Sequence, residues 1–257
     1  MNIAVITGAS SGIGKEFARQ MDEGLRRVEE FWLIARRKDQ LEELAGELSH
    51  RARVLPLDLT LREDVNRFRL LLQKEKPQIR LLVNCSGYGV MGNFAGLELE
   101  EQTGMIDLNC RALTEMTYLC IPYMKRKSRI IQLASSAAFL PQPGFAVYAA
   151  SKSYVLSLSR ALSEELAGRG IRVTAVCPGP VRTPFFDRAE RDGTTLAIKK
   201  YAMVEVDAVV RDALRASGRG KTVCVYSPTI RAFHLLCKVF PHGWLLAVVG
   251  KIKAKES

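Results

Sequence analysis

Ile3-Ala-Val-Ile-Thr-Gly8-Ala-Ser-Ser-Gly12-Ile-Gly14-Lys-Glu-Phe-Ala18 passes from an aliphatic run through a glycine loop into an amphipathic helix without a gap. Gly8 allows a tight turn off the strand. Gly12 lets backbone N–H groups approach an anion, and Gly14 lets the helix pack closely while its N-terminal dipole faces that anion. Ser10, Ser11 and Ile13 fill the loop between them. The spacing G-x-x-x-G-x-G is not the general dinucleotide fingerprint G-x-G-x-x-G, and an ordinary tight βα turn also uses glycine. What points to a nucleotide is its position after the first strand of an alternating chain.

Outward from this stretch, short aliphatic runs at Ile3–Thr7, Phe31–Ala35, Arg53–Leu57, Leu81–Asn84, Arg129–Ala134, Arg172–Cys177 and Val223–Tyr226 read as strands. Between them, helical periodicity runs over Gly12–Glu23, Lys38–Leu48, Leu61–Glu75, Glu100–Lys127, Tyr148–Gly168 and Val206–Ser217, with Thr60 as a candidate cap and Lys125-Arg126-Lys127 closing a long helix. The alternation predicts an α/β fold: one doubly wound Rossmann-type domain over residues 1–227, with a seven-stranded, mostly parallel sheet and helices on both faces. Residues 228–257 form an apolar and basic tail, read as two short helices broken at Pro241 to Gly243.

The 257 residues suffice for one large core. Apolar residues at 47% and charged residues at 25% describe an ordinary globular chain and exclude disorder and fibre. With 38 basic against 27 acidic residues, the net charge of +11 suits phosphate-bearing ligands, anionic lipid or nucleic acid without choosing among them. Six scattered cysteines show neither a disulfide framework nor a metal-ligand spacing, so no metal is expected. With no export leader evident, the expected setting is a reducing cytoplasm.

After the second strand stands Arg36-Arg37-Lys38, where a fold that prefers an unphosphorylated ribose carries an acid. Arg36 offers a planar donor fork to a 2′-phosphate, Arg37 can stack on adenine or add charge, and the hydroxyls of Ser10 and Ser11 can share the same phosphate. This favours NADP(H) over NAD(H). Tyr148-Ala-Ala-Ser-Lys152 places a phenol and an ammonium one helical turn apart. A nearby cation is expected to lower the phenol's pKa and so equip it for proton transfer.

With these residues in hand, the chain resembles the short-chain dehydrogenase/reductase family from about Ile3 to Tyr226. Thr7-Gly8-x-x-x-Gly12-Ile13-Gly14 is similar to the family's cofactor loop, and Asp58-Leu59 to its adenine contact. Asn84-Cys85-Ser86-Gly87 stands where the family has Asn-Asn-Ala-Gly, with Asn84 and Gly87 kept. Asn109 falls where the family carries a helix-embedded Asn holding a water of the proton relay. Pro178-Gly179-Pro180-Val181-x-Thr183 resembles the segment beside the nicotinamide, Val181 and Thr183 being its expected contacts. Ser135 and Ser136 both follow the fifth strand. The family's thirteen-residue separation from serine to tyrosine favours Ser135, and leaves Ser136 as a helix or turn cap.

The resemblance implies hydride transfer between nicotinamide and a carbonyl or secondary alcohol carbon. Tyr148 would act as general acid or base, Ser135 would donate to the same oxygen, Lys152 would hold the nicotinamide ribose, and Asn109 would link Lys152 to water. Rival readings are a non-catalytic dinucleotide sensor and a membrane-surface or scaffolding protein using the tail. The substrate wall is expected at Tyr88–Phe94, Ala137–Phe145 and Pro184–Tyr201, where Phe185 and Phe186 suggest a lipophilic substrate. For the tail, packing on its own domain or a second subunit is favoured over peripheral contact with an anionic membrane. No aromatic-rich basic motif supports nucleic-acid binding, and His50, His234 and His242 lie outside every motif. A homodimer or homotetramer is implied by the two long helices.

Overall fold

The computed structural model describes residues 1–24, 27–189 and 203–247. Seven strands form one sheet in the order β3-β2-β1-β4-β5-β6-β7. They are β1 (Asn2–Thr7), β2 (Glu30–Ala35), β3 (Arg51–Pro56), β4 (Gln78–Asn84), β5 (Met124–Leu133), β6 (Arg172–Val176) and β7 (Val223–Cys224). Every neighbouring pair is parallel, so among the described residues the expected mostly parallel sheet is wholly so. The helices are α1 (Gly12–Gly24), α2 (Lys38–Glu47), α3 (Arg62–Glu75), α4 (Leu99–Ile106), α5 (Leu113–Cys120), α6 (Ala146–Glu165), α7 (Phe185–Ala189), α8 (Val206–Gly218) and α9 (Pro228–Val239). Among the described residues no helix is long and apolar enough to cross a membrane.

Period-two alternation with both faces covered explains the aliphatic strands. Ile3 and Val5 enter one core with Trp32, Phe68, Leu72 and Met116. Ala4 and Ile6 enter the other with Phe17, Met21 and Val209. Helix α1 buries Gly14, Phe17, Ala18 and Met21, an i, i+3, i+4, i+7 stripe. Full burial of a side chain such as Phe17 or Met21 stabilises the fold by about 1.5–3 kcal/mol each. Trp32 is fully buried; its indole N–H donates 2.8 Å to Glu30 Oε2, and the Arg53 guanidinium lies 5.1 Å from the ring centroid.

Strand order reverses between β1 and β4, which opens a crevice at their carboxyl ends. Thr7 Oγ1 accepts 3.1 Å hydrogen bonds from the backbone N–H groups of both Cys85 and Ser86 and so joins the two strand ends.

Three local expectations are corrected. The long helix Glu100–Lys127 is instead α4, a single π turn over Asp107–Ala112, α5 and a 3₁₀ turn, Ile121–Tyr123, that contains Pro122. Proline cannot continue the helical ladder, and β5 starts at Met124, so Lys125-Arg126-Lys127 enter a strand rather than close a helix. The β4–β5 register jumps from Ile79↔Met124 to Leu81↔Arg129, and the Ser128 hydroxyl donates 2.7 Å to the Ile79 carbonyl to hold the bulge. Thr60 does not cap α3: its hydroxyl donates to Asp58 Oδ1 at 2.7 Å, and extended Leu61 occupies the cap position. Strand β7 spans only Val223–Cys224, shorter than the expected Val223–Tyr226.

Candidate active site

The glycine turn is built around close backbone approach. Gly8 has φ +68°, and a Cβ there would lie 2.9 Å from the Cys85 carbonyl carbon and the Ser86 nitrogen. A Cβ on Gly14 would run into the Gly8 carbonyl, so the close packing that Gly14 permits is against the loop itself. The N-terminus of α1 therefore sits at the crevice with its unpaired N–H groups, an arrangement suited to a diphosphate.

A cleft of about 710 Å³ runs from this turn across the sheet's carboxyl edge. Gly8, Ser10, Ser11, Gly12, Ile13 and Gly14 line one end with Arg36, Arg37, Asp58 and Leu59. Gly87, Ser135, Tyr148, Lys152, Pro178, Gly179, Val181 and Thr183 line the middle. Gly12 faces Thr183, whose Cβ would lie 3.3 Å from an added Cβ.

The two arginine side chains diverge. Arg37 reaches the loop, its Nη2 donating to the hydroxyls of Ser10 at 3.0 Å and Ser11 at 2.9 Å. Arg36 leans toward Asp58 at 4.0 Å and is largely exposed. The convergent cation and two hydroxyls are thus Arg37, Ser10 and Ser11, a donor set suited to a phosphate monoester.

Tyr148 and Lys152 lie buried on one face of α6. Lys152 Nζ sits 5.6 Å from the Tyr148 ring centroid and donates 2.8 Å to the Leu133 carbonyl. The expected lowering of the phenol's pKa is not found. Burial pushes Tyr148 up to about 12, opposed by a side-chain hydrogen bond with Ser135. Burial also pulls Lys152 down to about 8. Both are desolvation effects, which disfavour whichever form carries charge.

Ser135 is the serine that meets Tyr148, and its Oγ also accepts from the Ala137 N–H at 3.1 Å. The capping hydroxyl of the turn Ser136–Phe139 is therefore that of Ser135, not of Ser136 as expected, while the Ser136 N–H donates 2.8 Å to the Pro178 carbonyl.

Asn84 is not brought to the cleft. Its amide nitrogen points into the core and donates to Thr117 Oγ1 at 3.0 Å and Gln132 Oε1 at 2.9 Å. It braces β4 against β5 and α5. Asn109, fully buried in the π turn, also stands behind the cleft wall. Its Oδ1 accepts from the Tyr88 N–H at 3.0 Å, and its Nδ2 donates to the Tyr88 carbonyl at 2.9 Å and to Ser151 Oγ at 3.0 Å. A Cβ on Gly87 would lie 2.8 Å from Asn109 Oδ1 and 3.4 Å from Lys152 Nζ, which explains the glycine between them. π turns are frequent at functional sites.

Sequence reasoning missed Ser151, whose hydroxyl receives the Asn109 amide and donates 2.7 Å to the Tyr148 carbonyl. It also missed the individual roles of Phe145 and Phe233. Phe145 stacks on Tyr148 at 4.2 Å between centroids, and its i, i+3 spacing from the tyrosine was the available signal. Phe185 tilts against Tyr148 at 5.5 Å, so the cleft is aromatic around the tyrosine. Of the expected Tyr88–Phe94 wall only Tyr88 lines the cleft; Val90 and Met91 pack beneath it, and Phe94 is exposed. Positions 190–201 of the third wall segment and 248–257 of the tail lie outside the described residues.

The described tail packs on its own domain through Ile230, Phe233 and Cys237, and His234 stacks on Phe139 at 4.1 Å. Phe233 reaches the cleft. The helix stops at Val239, and residues 242–247 are helical again after Pro241. Leu235, Leu236, Val239, Phe240 and Trp244 stay exposed.

A glycine turn at the strand-order reversal, opening on a serine beside a buried tyrosine and lysine, is the layout of an α/β oxidoreductase. The family described as short chain dehydrogenase matches residues 2–193, and the chain belongs to it. An uncharacterised oxidoreductase of Staphylococcus epidermidis is 30% identical over 212 residues, which cover 81% of this chain and 89% of that one. The solved short-chain dehydrogenase from Sphingobium yanoikuyae in complex with NADPH is 29% identical with a TM-score of 0.76, over 100% of this chain and 95% of that one. A 3-ketoacyl-(acyl-carrier-protein) reductase from Brucella melitensis complexed with NADH is 27% identical with a TM-score of 0.74, over 87% and 96%.

Proposed function

We propose that this protein is an NADP(H)-dependent carbonyl reductase or alcohol dehydrogenase acting on a lipophilic substrate, with Tyr148 as the proton donor. The observation that carries the reading is that Ser135, Tyr148 and Lys152 converge in the cleft that begins at the glycine turn. The Gly8–Gly14 turn would hold a diphosphate and Lys152 a ribose hydroxyl; a nicotinamide dinucleotide supplies or accepts the hydride when bound. In reduction the oxygen of the substrate carbonyl would take the Tyr148 proton. Ser135 donates a hydrogen bond to that oxygen, and Phe145 and Phe185 exclude water around it. Asn109 acts as a positioning residue through Ser151 and the Tyr88 backbone.

The preference for NADP(H) rests on Arg37, Ser10 and Ser11, with Arg36 beside them, because one similar structure carries NADPH and another NADH. A homodimer or homotetramer is supported by Ile106 and Tyr118 on α4 and α5 and Tyr154 on α6, large side chains left exposed. Six free thiols suit a reducing cytoplasm.

The test is loss of reduced-nicotinamide absorbance over a panel of aromatic and aliphatic ketones, with NADPH and NADH in parallel. We expect kcat/KM with NADPH to exceed that with NADH at least tenfold, and Arg37→Ala to remove most of that ratio, since a charge-assisted bond contributes about 1.5–3 kcal/mol. Equal use of both cofactors by the wild type would defeat the cofactor assignment, and no turnover over the whole panel would defeat the enzyme assignment.

A further inference from the structure

At the amino edge of the sheet, away from the cleft, lies a second cavity of about 340 Å³ lined by Arg27, Arg80, Lys127 and Arg129, with Val28 and Leu81 at its wall. The topology builds this cluster. Arg129 stands opposite Leu81, one residue past Arg80, and opposite Arg172 on its other side. Arg27 follows α1, and the bulge in β5 carries Lys127, held at φ +70° with its N–H donating 2.8 Å to the Gly170 carbonyl.

No carboxylate among the described residues forms an ion pair with Arg27, Arg80, Lys127, Arg129 or Arg172, whereas Arg19, Arg53, Arg67, Arg111 and Arg211 all have one. Some compensation comes from the carboxyl end of α8: Arg172 donates to the Gly218 carbonyl, and a Cβ on Gly218 would lie 3.8 Å from Arg129 Nη1. A helix end supplies only about half a negative charge, set against five cations. Burial and then the like charges of Arg172 and Arg80 weaken the hold of Arg129 on its proton. A half-buried guanidinium among like charges is costly unless an anion completes the site.

We propose that this cavity binds a compact polyanion of the phosphate class, one presenting two adjacent phosphoryl groups to the fork of Arg129 and the surrounding Arg80, Arg27 and Lys127. Guanidinium forks match phosphate oxygens in pairs, and two phosphoryl groups carry enough charge to neutralise most of the cluster. The site is independent of whatever the cleft turns over.

The probe is inorganic pyrophosphate, titrated calorimetrically into the full chain, with orthophosphate and sodium chloride of equal ionic strength as controls. Wild-type protein and Arg37→Ala are expected to bind pyrophosphate with similar dissociation constants, tighter than orthophosphate. The double variant Arg80→Gln/Lys127→Gln, which leaves half-buried Arg129 in place, should bind at least tenfold more weakly. Melting curves supply the second measurement: pyrophosphate should raise the midpoint of the wild type and not that of the double variant. Equal binding by wild type and double variant would overturn the site. So would displacement of pyrophosphate by saturating NADPH, which would place the anion at the glycine turn of the cleft, or protection reproduced by sodium chloride.

Discussion

Tyr148→Phe is expected to lower ketone reduction at least a hundredfold while the NADPH dissociation constant stays within about threefold of wild type, general acid catalysis contributing typically 10²–10⁴-fold. Burial holds the phenol at about 12, so it carries its proton at neutral pH and meets the substrate oxygen as a donor. Phenylalanine keeps the ring stacked on Phe145 and against Phe185, so the aromatic wall and the proposed ribose site at Lys152 are retained while the one transferable proton is lost. Stopped-flow turnover and fluorescence titration with NADPH measure the two quantities. Retention of more than a tenth of wild-type activity would remove Tyr148 from the role.

Lys152→Met is expected to abolish activity and to change stability in a pH-dependent direction. The ammonium falls from 10.5 to about 8 on folding because it is desolvated. Between those values the unfolded chain binds more protons, so wild-type stability rises with pH through that window. At pH 7 both states are protonated and the whole penalty is present, on the order of 3 kcal/mol at about 1.4 kcal/mol per pKa unit. Methionine removes that penalty but leaves the Leu133 carbonyl without its 2.8 Å donor, which costs about 1–3 kcal/mol. The melting temperature of the variant relative to wild type should therefore be highest at pH 7 and fall steadily toward pH 10. A difference that is flat across this range would show that the buried ammonium carries no such penalty.

The strand and helix alternation was legible because a parallel sheet covered on both faces needs continuous aliphatic strands, and the glycine turn because a Cβ at Gly8 or Gly14 would strike backbone and Gly12 turns at positive φ. The same double coverage hid Asn84: with both faces buried, hydropathy does not say which way a polar strand-end residue points, and it points into the core. Arg36 and Arg37 are neighbours whose side chains diverge, so which one meets Ser10 and Ser11 depends on how the end of β2 turns. Spacing brought Tyr148 and Lys152 together, but spacing carries no dielectric, and burial pushes the phenol up with Ser135 as the group that opposes it. The break after α5 was masked because Ile121 to Lys127 continues an apolar and basic helical pattern; Pro122 and the reach of Ser128 to Ile79 decide otherwise.

The two tryptophans stand at opposite extremes: Trp32 is fully enclosed beside Phe68, whereas Trp244 is 69% exposed just past the break at Pro241. Indole emission follows the polarity around it, so the chain carries two intrinsic optical reporters, one blue-shifted and out of reach of aqueous quenchers, the other red-shifted and open to them. A dissolved quencher subtracts the tail's signal and leaves the interior's, so melting of the central sheet and detachment of the terminal segment can be followed separately in unlabelled protein.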